Sequence, residues 1–313
     1  MLKTKPLVSF VMLAYNQEKY IEAALEGAFA QTYSPLEIIL SDDGSNDSTF
    51  SLMQAKAAMY EGPHRVKVRQ TKKNNGLADH FNTVISLAKG EIIVIASGDD
   101  ISLPNRTTNT VELLANNPTA KFISFMDIVI DEHGNEVPTK KARSAKEVAV
   151  SLEDHLNFTT TTLSGASRGF RKEIFEIFGA LRTTCPTEDT PHILRGLILG
   201  EALVSPIPGI KYRVHGNNLS GPASLPFLSL EEIRHQYLQD TAVALSTGLI
   251  SQDGSKRIQR WIDKNHHRRL LQNGFSQQAV GLKYFWQKLL FSQSFSMFEK
   301  LVLLRSLIAK LIR

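Results

Sequence analysis

Apolar runs and helical periodicity alternate along the first part of the chain. Five short runs are rich in β-prone residues and predict buried strands: 7–14, 36–40, 66–69, 91–96 and 121–126. Between the first two runs, apolar side chains recur at helical spacing, as Ile21, Ala24 and Leu25 do. Strands that alternate with helices favour parallel crossover connections. We therefore expect an α/β fold with a doubly wound, mostly parallel sheet.

Capping residues indicate where the helices begin and end. A cap at residues 47–48 would start a helix that runs through Tyr60. The next helix is expected to stop at Gly90, which follows a basic last turn. Pro104 suits the first turn of a helix that runs through Asn116.

The alternation weakens after a turn expected at 131–135. Residues 159–170 are rich in Thr, Ser and Gly and predict a loop. Short helices at 171–178 and 190–200, a strand at 210–214 and a linker at 217–226 follow, and from residue 228 the pattern is helical. We expect one domain over 1–220, with halves at about 1–110 and 111–220, and a helical C-terminal region over 221–313.

Composition places the chain among ordinary globular proteins. Hydrophobic residues make up 42% of its 313 residues and charged residues 21%. Cys185 is the single cysteine, which excludes an intramolecular disulfide and fits a reducing cytosol. The apolar run near the start is shorter than a signal peptide requires. No window holds the roughly 18 consecutive apolar residues of a membrane-spanning helix, so we expect a cytoplasmic protein.

The net charge of +5 is concentrated at the C-terminal end. Residues 281–313 contain six Lys and Arg against one Glu, and the remainder is formally neutral. A nucleic-acid-binding domain would carry its basic residues on the folded body, so we expect no nucleic-acid partner. Within 296–313, Met297, Leu301, Leu304 and Ile308 share one helical face. Such a helix can lie on an anionic membrane or pack on its own domain or a second subunit, and the sequence leaves these alternatives open.

Polar residues follow three of the predicted strands. Tyr15 and Asn16 follow the first, Asp42 and Asp43 the second, and Asp99-Asp100 the fourth. In doubly wound sheets, ligands bind beyond the carboxyl ends of the strands. The coincidence of acidic and polar residues at these three ends predicts a ligand site there.

The residue types at this edge suit a nucleotide diphosphate and a metal ion. Asp99 and Asp100 are adjacent carboxylates, and Mg²⁺ or Mn²⁺ often binds one or two carboxylates together with substrate phosphates. Asp42 can accept an N–H from a base, and Gly44 permits a tight turn after it. Each of these residues also suits an ordinary turn or helix cap.

Two further candidates lie later in the chain. Asp189 stands at a helix N-terminus, where a carboxylate can be a simple cap or can accept a proton from a hydroxyl. His215 ends a short strand and can be a ligand for a metal or phosphate, or a structural residue.

Several motifs in order resemble glycosyltransferase family 2. They are Val8–Asn16, Ile21–Glu26, Gln31–Tyr33, Glu37–Ser45, Asn75–Gly76, Asn82, Ala88–Gly90 and Gly98–Pro104. The resemblance is close over residues 7–110, weaker to about 220 and absent over 228–313. It implies a GT-A fold, a nucleotide-sugar donor, Mg²⁺ or Mn²⁺ and inversion at the anomeric carbon, with a donor half at about 1–110 and an acceptor half at about 111–220.

The resemblance also implies roles for individual residues. Asp189 would be the general base and Glu188 its neighbour. The donor-binding residues would be Ala14, Tyr15, Asn16, Asp42, Asp43, Asn75, Gly98 and Arg213, with Asp42 bonded to the base. The metal would be held by Asp99, Asp100 and His215. The acceptor would be a glycan or lipid-linked glycan in bacterial surface polysaccharide assembly, with the enzyme cytoplasmic or peripheral on the inner membrane face.

Two departures from the family and two other functions bear on this interpretation. Many relatives have Asp where Ser97 stands, and a tryptophan that often follows the Glu188-Asp189 pair is absent. A sugar-1-phosphate nucleotidyltransferase, like a dinucleotide oxidoreductase, would need a Gly-rich loop after the first strand, where this chain has residues 15–20. A catalytically inactive nucleotide-sugar-binding module also remains an alternative.

Overall fold

The computed structural model describes residues 5–138, 146–160, 163–221, 224–276 and residue 300. Contacts divide the chain into two compact units, residues 1–215 and 216–313. No helix among the described residues is both long and apolar enough to cross a membrane. The predicted helix at 296–313 lies outside the described residues, apart from Lys300.

The first unit is built on one sheet of nine strands in its described part. They are β1 (Val8–Ala14), β2 (Leu36–Asp42), β3 (Arg65–Gln70), β4 (Ile92–Ser97), β5 (Ile101–Ser102), β6 (Ala120–Ile130), β7 (Val148–Val150), β8 (Arg168–Arg171) and β9 (Glu201–Arg213). Their order is β3-β2-β1-β4-β8-β6-β9-β5, with β7 also paired to β9. β5, β7 and β8 run antiparallel to their neighbours, and the other pairs are parallel. The predicted α/β fold with a mostly parallel sheet is confirmed.

Helices cover both faces of this sheet. They are α1 (Ile21–Phe29), α2 (Thr49–Ala58), α3 (Leu77–Leu87), α4 (Arg106–Asn116), α5 (Leu152–Leu156), α6 (Glu173–Phe178) and α7 (Asp189–Leu199). Alternate residues of β1, such as Phe10 and Met12, join a buried cluster with Leu25 of α1. On the other side, the ring of Phe81 in α3 lies 6.5 Å from Phe170 of β8 and 5.7 Å from His192 of α7. This two-sided burial explains why the strands are continuous apolar runs.

The structure corrects several expected boundaries in the second half of the sheet. β8 lies where the loop 159–170 and the helix 171–178 were expected to meet, and its four residues are too few to show a period. β9 begins at Glu201, nine residues before the predicted strand, because Pro206 and Pro208 disguise it. The pairing of β6 with β9 shifts register near these prolines. α4 begins at Arg106, so Pro104 precedes the helix.

The described part of the second unit is helical. A short 3-10 helix (Leu225–Phe227) precedes α8 (Leu230–Ser246) and α9 (Gln252–Ser276). Ser229 caps α8 by accepting a hydrogen bond from the N–H of Glu232. Tyr237 of α8 and Trp261 of α9 pack edge to face, with ring centroids 5.2 Å apart.

Candidate active site

Strand register brings the three polar strand ends together. Ala14, the last residue of β1, lies opposite Asp42, the last residue of β2. Leu13 lies opposite Ser97 at the end of β4. Tyr15-Asn16, Asp42-Asp43 and Asp99-Asp100 therefore all leave the sheet at one carboxyl edge.

Gly98 allows the ends of β1 and β4 to approach closely. A Cβ at this position would lie 2.4 Å from the Oε1 atom of Gln17 and 3.0 Å from the Cβ of Ala14. A Cβ at this position would therefore force the side chain of Gln17 to move and would crowd Ala14.

The carboxylate of Asp42 accepts hydrogen bonds from its own loop and from β3. Its side chain has no exposed surface. Its Oδ2 atom accepts hydrogen bonds from the N–H of Ser45 and from Nε2 of Gln70, each at 2.9 Å, and its Oδ1 atom accepts one from the Ser45 hydroxyl. We expected Asp42 to bond a base directly. In the structure a base could reach this carboxylate only if the residues that cover it moved, because Asp42 is fully buried.

Asp43 organises the neighbouring loop in the same way. Its carboxylate accepts hydrogen bonds from the hydroxyl of Thr71 at 2.9 Å and from the N–H of Gly76 at 3.1 Å. The N–H of Asn75 also points at this carboxylate. The Asn75 backbone is thereby tied to the end of β2, next to Asp42.

Tyr15 and Asn16 are exposed where the chain leaves β1. Tyr15 is 39% exposed. Asn16 adopts a left-handed backbone conformation with φ of 51°, which Asn tolerates better than most residues. Its side-chain oxygen accepts a hydrogen bond from the N–H of Asn46 at 2.9 Å, which links the end of β1 to the loop after β2.

A histidine missed at the sequence level lies beneath the loop. His80 of α3 is buried, and its Nε2 atom lies 2.6 Å from the hydroxyl of Ser41, which also accepts a hydrogen bond from Arg69. Burial lowers the pKa of His80 to about 4, although the nearby Asp43 raises it. Its position on the buried face of α3, between Leu77 and Phe81, is the signal that could have identified it.

Asp99 and His215 meet although they are far apart in the sequence. The Nε2 atom of His215 lies 3.0 Å from Oδ2 of Asp99, and Ser97 donates its hydroxyl to Oδ1 of the same carboxylate at 2.5 Å. Both side chains of the pair are largely buried. The ring of Tyr20 stacks on His215 at 4.8 Å, which fixes the imidazole plane.

The carboxylate of Asp100 forms a hydrogen bond with the backbone. Its Oδ1 atom accepts the N–H of Arg213 at 2.8 Å. Burial, and then the charge of Asp99, raise the pKa of Asp100 well above its ordinary value. Asp99 and Asp100 therefore lie in different environments, although we expected both residues among the metal ligands.

Arg213 braces the loops around Asp99. Its Nε atom donates to the carbonyl of Asp99 at 3.0 Å, and its Nη1 atom donates to the carbonyls of Asp131 and Glu132. Its guanidinium also lies over the ring of Tyr20, 4.9 Å from the centroid. We expected Arg213 among the donor-binding residues, and in the structure these backbone contacts use two of its nitrogens.

The donor set at Asp99 fits a divalent ion whose shell is completed by a ligand. A carboxylate and an imidazole are both common ligands of Mn²⁺ and similar ions. Among the described residues, no group of three or more His, Cys, Asp or Glu side chains could hold a metal ion. Diphosphate oxygens would therefore have to supply further ligands.

Asp189 and Glu188 lie in contrasting environments at the start of α7. Oδ1 of Asp189 accepts the N–H of Thr190 at 2.7 Å. Oε1 of Glu188 lies 2.5 Å from Nη2 of the fully buried Arg168. Burial raises the pKa of Glu188, the guanidinium of Arg168 opposes this, and the charge of Asp189 adds to the rise. Glu188 thus forms a buried ion pair behind Asp189.

The loop before β8 lies directly against Asp189. A Cβ on Gly165 would be 2.4 Å from Oδ2 of Asp189. The carbonyl of Gly165 accepts a hydrogen bond from Nε of Arg168 at 2.8 Å. Arg168 therefore holds both the loop, through Gly165, and the helix start, through Glu188.

A second buried arginine, Arg106, was also not identified from the sequence. It connects β4 to residues 166–168. Nη2 of Arg106 donates to the carbonyl of Ile95 in β4 and to those of Ala166 and Arg168. Burial lowers its pKa to about 10. The signal was its position on the buried face of α4, one turn before Thr110.

Part of the chain is similar in sequence to a known family. The sequence profile of "Glycosyl transferase family 2" matches residues 9–178. The protein EpsE of Bacillus subtilis, named a putative glycosyltransferase, is 34% identical over 133 residues, which cover 42% of this chain and 47% of EpsE. The match thus spans about half the length of that relative.

Two solved structures share the fold. Residues 1–349 of TarS from S. aureus, in complex with UDP-GlcNAc, superpose with a TM-score of 0.66 at 18% identity, covering 90% of this chain and 78% of that one. The mannosyltransferase PcManGT from Pyrobaculum calidifontis, in complex with GDP-Man and Mn²⁺, has a TM-score of 0.60 at 18% identity, with coverages of 99% and 82%.

Proposed function

This chain belongs to glycosyl transferase family 2, and we propose that it transfers a sugar from a nucleotide diphosphate to a hydroxyl acceptor with inversion at the anomeric carbon. The observation that carries the proposal is the buried pair of Asp99 and His215, 3.0 Å apart at the carboxyl edge of the sheet. A carboxylate and an imidazole at this edge suit a metal-bound diphosphate.

On the donor side, we assign base binding to the pocket between Tyr15 and the loop after β2. The exposed ring of Tyr15 offers a surface for the base. Asp42 orders the loop through Ser45 and Gln70, and Asp43 orders the segment at Asn75 and Gly76. The proposed contribution of Asp42 and Asp43 is thus a preformed pocket, which lowers the entropic cost of binding.

At the diphosphate, we assign the metal to Asp99 and His215, with Asp100 and Arg213 supporting the loop that carries Asp99. A bound Mn²⁺ or Mg²⁺ would neutralise the charge that develops on the diphosphate as it leaves. Asp99 and His215 are already in contact, so their side chains need little rearrangement to share a ligand.

On the acceptor side, we assign the general base to Asp189. Its Oδ2 atom takes the proton of the acceptor hydroxyl while the hydroxyl oxygen forms a bond to the anomeric carbon. The bond from that carbon to the diphosphate oxygen breaks on the opposite face, so the configuration is inverted. Positioning and general base catalysis would supply the rate, the latter on the order of 10²–10⁴-fold.

The test is a donor screen with and without a divalent ion. UDP-GlcNAc and GDP-mannose are the first donors to try, because the TarS and PcManGT structures contain them. We expect hydrolysis or transfer that requires Mn²⁺ or Mg²⁺ and is abolished by Asp99→Asn. Full activity of that variant, or full activity in excess chelator, would overturn the metal assignment. Release of pyrophosphate from a nucleoside triphosphate would instead indicate a nucleotidyltransferase.

We also propose a glycan or lipid-linked glycan as the acceptor, in bacterial surface polysaccharide assembly on the inner face of the membrane. The bacterial sources of EpsE and TarS support this. Residues 281–313 would provide contact with an anionic membrane or a second subunit, as their basic and apolar sequence suggests. Transfer to lipid-linked acceptors compared with free oligosaccharides tests the acceptor class.

A further inference from the structure

Helix α9 carries basic side chains along one face. This basic stripe consists of Lys256, Arg257, Arg260, Lys264 and Arg268. At about 100° per residue, the five side chains fall within an arc of about 120°. Lys256, Arg257 and Arg260 are exposed, and the other two are half-buried.

The remaining face of α9 packs on its own unit. Ile258, Trp261 and Ile262 are buried, and Trp261 contacts Tyr237 of α8. Packing against α8 therefore fixes the rotation of the helix and leaves Lys256, Arg257 and Arg260 of the basic stripe exposed.

Carboxylates on α9 are few. Asp253 stands in the first turn, and Asp263 pairs with Arg234 of α8 at 3.0 Å. The six Lys and Arg of the helix thus outnumber its two Asp. The excess of positive charge is a property of the element itself.

Positive charge is distributed unevenly along the sequence. Residues 252–313 contain twelve Lys and Arg against three Asp and Glu, for a net charge of +9. Residues 1–251 contain 24 against 28, for a net charge of −4. The sequence after α9 is itself basic, so its own charge would not neutralise the stripe. Each Lys or Arg near an anionic surface is attracted to it, so this part of the sequence is the part that such a surface attracts.

We propose that the basic stripe of α9 docks the protein on an anionic membrane, with lipid phosphate groups as its ligands. A lipid surface is favoured over a nucleic acid because the adjoining sequence 277–313 combines its Lys and Arg with many Leu, Phe and Ile residues. This surface is separate from the glycosyl-transfer site, and the proposal stands whichever sugar is transferred.

The experiment compares two variants that each lose three positive charges. In the stripe variant, Gln replaces Lys256, Arg257 and Arg260. In the control variant, Gln replaces three exposed residues of the first unit, Arg65, Lys67 and Lys89. In the stripe variant, Gln keeps the helix propensity of the residues that it replaces in α9. Flotation is measured with phosphatidylcholine vesicles, with and without phosphatidylglycerol, using the full chain.

We expect the native chain to float with the anionic vesicles only, and less at high salt. The stripe variant should partition on the order of 100-fold more weakly, and the control variant nearly as well as the native chain. Thermal melting and donor hydrolysis should be unchanged in both variants, which separates membrane docking from folding and catalysis.

Three results would overturn the proposal. If both variants lost vesicle binding equally, binding would depend on net charge alone and not on the stripe. If the stripe variant bound vesicles as well as the native chain, another segment would be responsible for binding. Binding of double-stranded DNA that the stripe variant loses, with vesicle binding unchanged, would assign the stripe to nucleic acid.

Discussion

Asp189 is the first residue of α7, so it could be either a base or a helix cap. Its Oδ1 atom already accepts the N–H of Thr190, whereas its Oδ2 atom lies against Gly165 at the end of a loop. One oxygen thus has a capping role and the other faces the loop. These two roles predict different consequences for substitution.

Asp189→Asn should slow transfer by about 10²-fold or more, because Asn keeps the shape of the side chain and cannot accept the proton. Donor affinity, measured by calorimetry with UDP or GDP and Mn²⁺, should stay nearly constant. The matched control is Asp253→Asn, which changes a first-turn carboxylate of α9. A parallel loss of donor affinity and rate in Asp189→Asn would place this residue in the donor site instead.

His80 should make stability depend on pH. Its pKa is about 4 in the folded protein and near 6.5 in the unfolded chain. Between these values the unfolded chain binds more protons, so the free energy of unfolding falls as the pH drops from 6.5 to 4. The loss from this residue is at most about 3 kcal/mol.

His80→Gln should remove this contribution and flatten the profile of unfolding free energy between pH 6.5 and 4, as measured by urea denaturation. Burial also lowers the pKa of His155 to about 4, so more than one histidine contributes to the pH dependence of the native protein. The difference in slope between the native protein and His80→Gln gives the contribution of His80 alone. His133→Gln, at an exposed position, is the control. An identical slope in His80→Gln would contradict the assignment.

At the scale of elements, the site depends on contacts between segments that are distant in sequence. Arg106 of α4 joins the end of β4 to residues 166–168, and Arg168 joins that segment to the start of α7. The loop before β8 and the helix that carries Asp189 are therefore braced together, and Gly165 of the loop lies against Asp189.

Gly165→Ala should slow transfer much more than it weakens donor binding. The added Cβ would lie 2.4 Å from Oδ2 of Asp189, so either the carboxylate or the loop must move, and small displacements of catalytic groups are costly. The measurement is kcat at saturating donor, alongside donor affinity. Gly254→Ala, where the nearest atoms are 3.5 Å away, should leave both unchanged. A native kcat in Gly165→Ala would show that this contact does not position the base.

At the scale of the whole molecule, the candidate residues are confined to one unit. Asp99, Asp189 and His215 all lie within residues 1–215, whereas the positive charge is concentrated after residue 251. Catalysis and surface attachment are thus assigned to different parts of the chain.

A chain that ends at residue 276 should keep donor hydrolysis and donor affinity, because all proposed donor contacts remain. Because the basic stripe also remains, the truncated chain should still bind anionic vesicles, and any loss of binding measures the contribution of residues 277–313. Hydrolysis assays on the truncated and full chains, with thermal melting as a folding check, test this expectation. Loss of hydrolysis in a folded truncated chain would show that the removed segment serves the active site.

Much of the donor half follows from local sequence. β1, β2 and β4 are continuous apolar runs because the sheet is covered on both faces, and polar residues follow directly where these runs end. The positions of Asp42, Asp43, Asp99 and Asp100 at the carboxyl edge could therefore be predicted. In contrast, β5, β7 and β8 have two to four residues, which is too short for a period, and the prolines of β9 hide a strand that bulges accommodate.

Periodicity and motifs in order were enough to predict the fold class, the family and the edge of the sheet that carries the candidate residues. The contacts of each side chain at that edge became visible only in the folded chain. In the folded chain, Asp99 contacts His215, and Asp100 accepts a hydrogen bond from the backbone of Arg213. Asp42 accepts a hydrogen bond from the N–H of Ser45, and Glu188 forms an ion pair with Arg168. The physical reason is that hydrogen-bond partners and burial are set by residues up to 116 positions apart, and no local pattern records such distances.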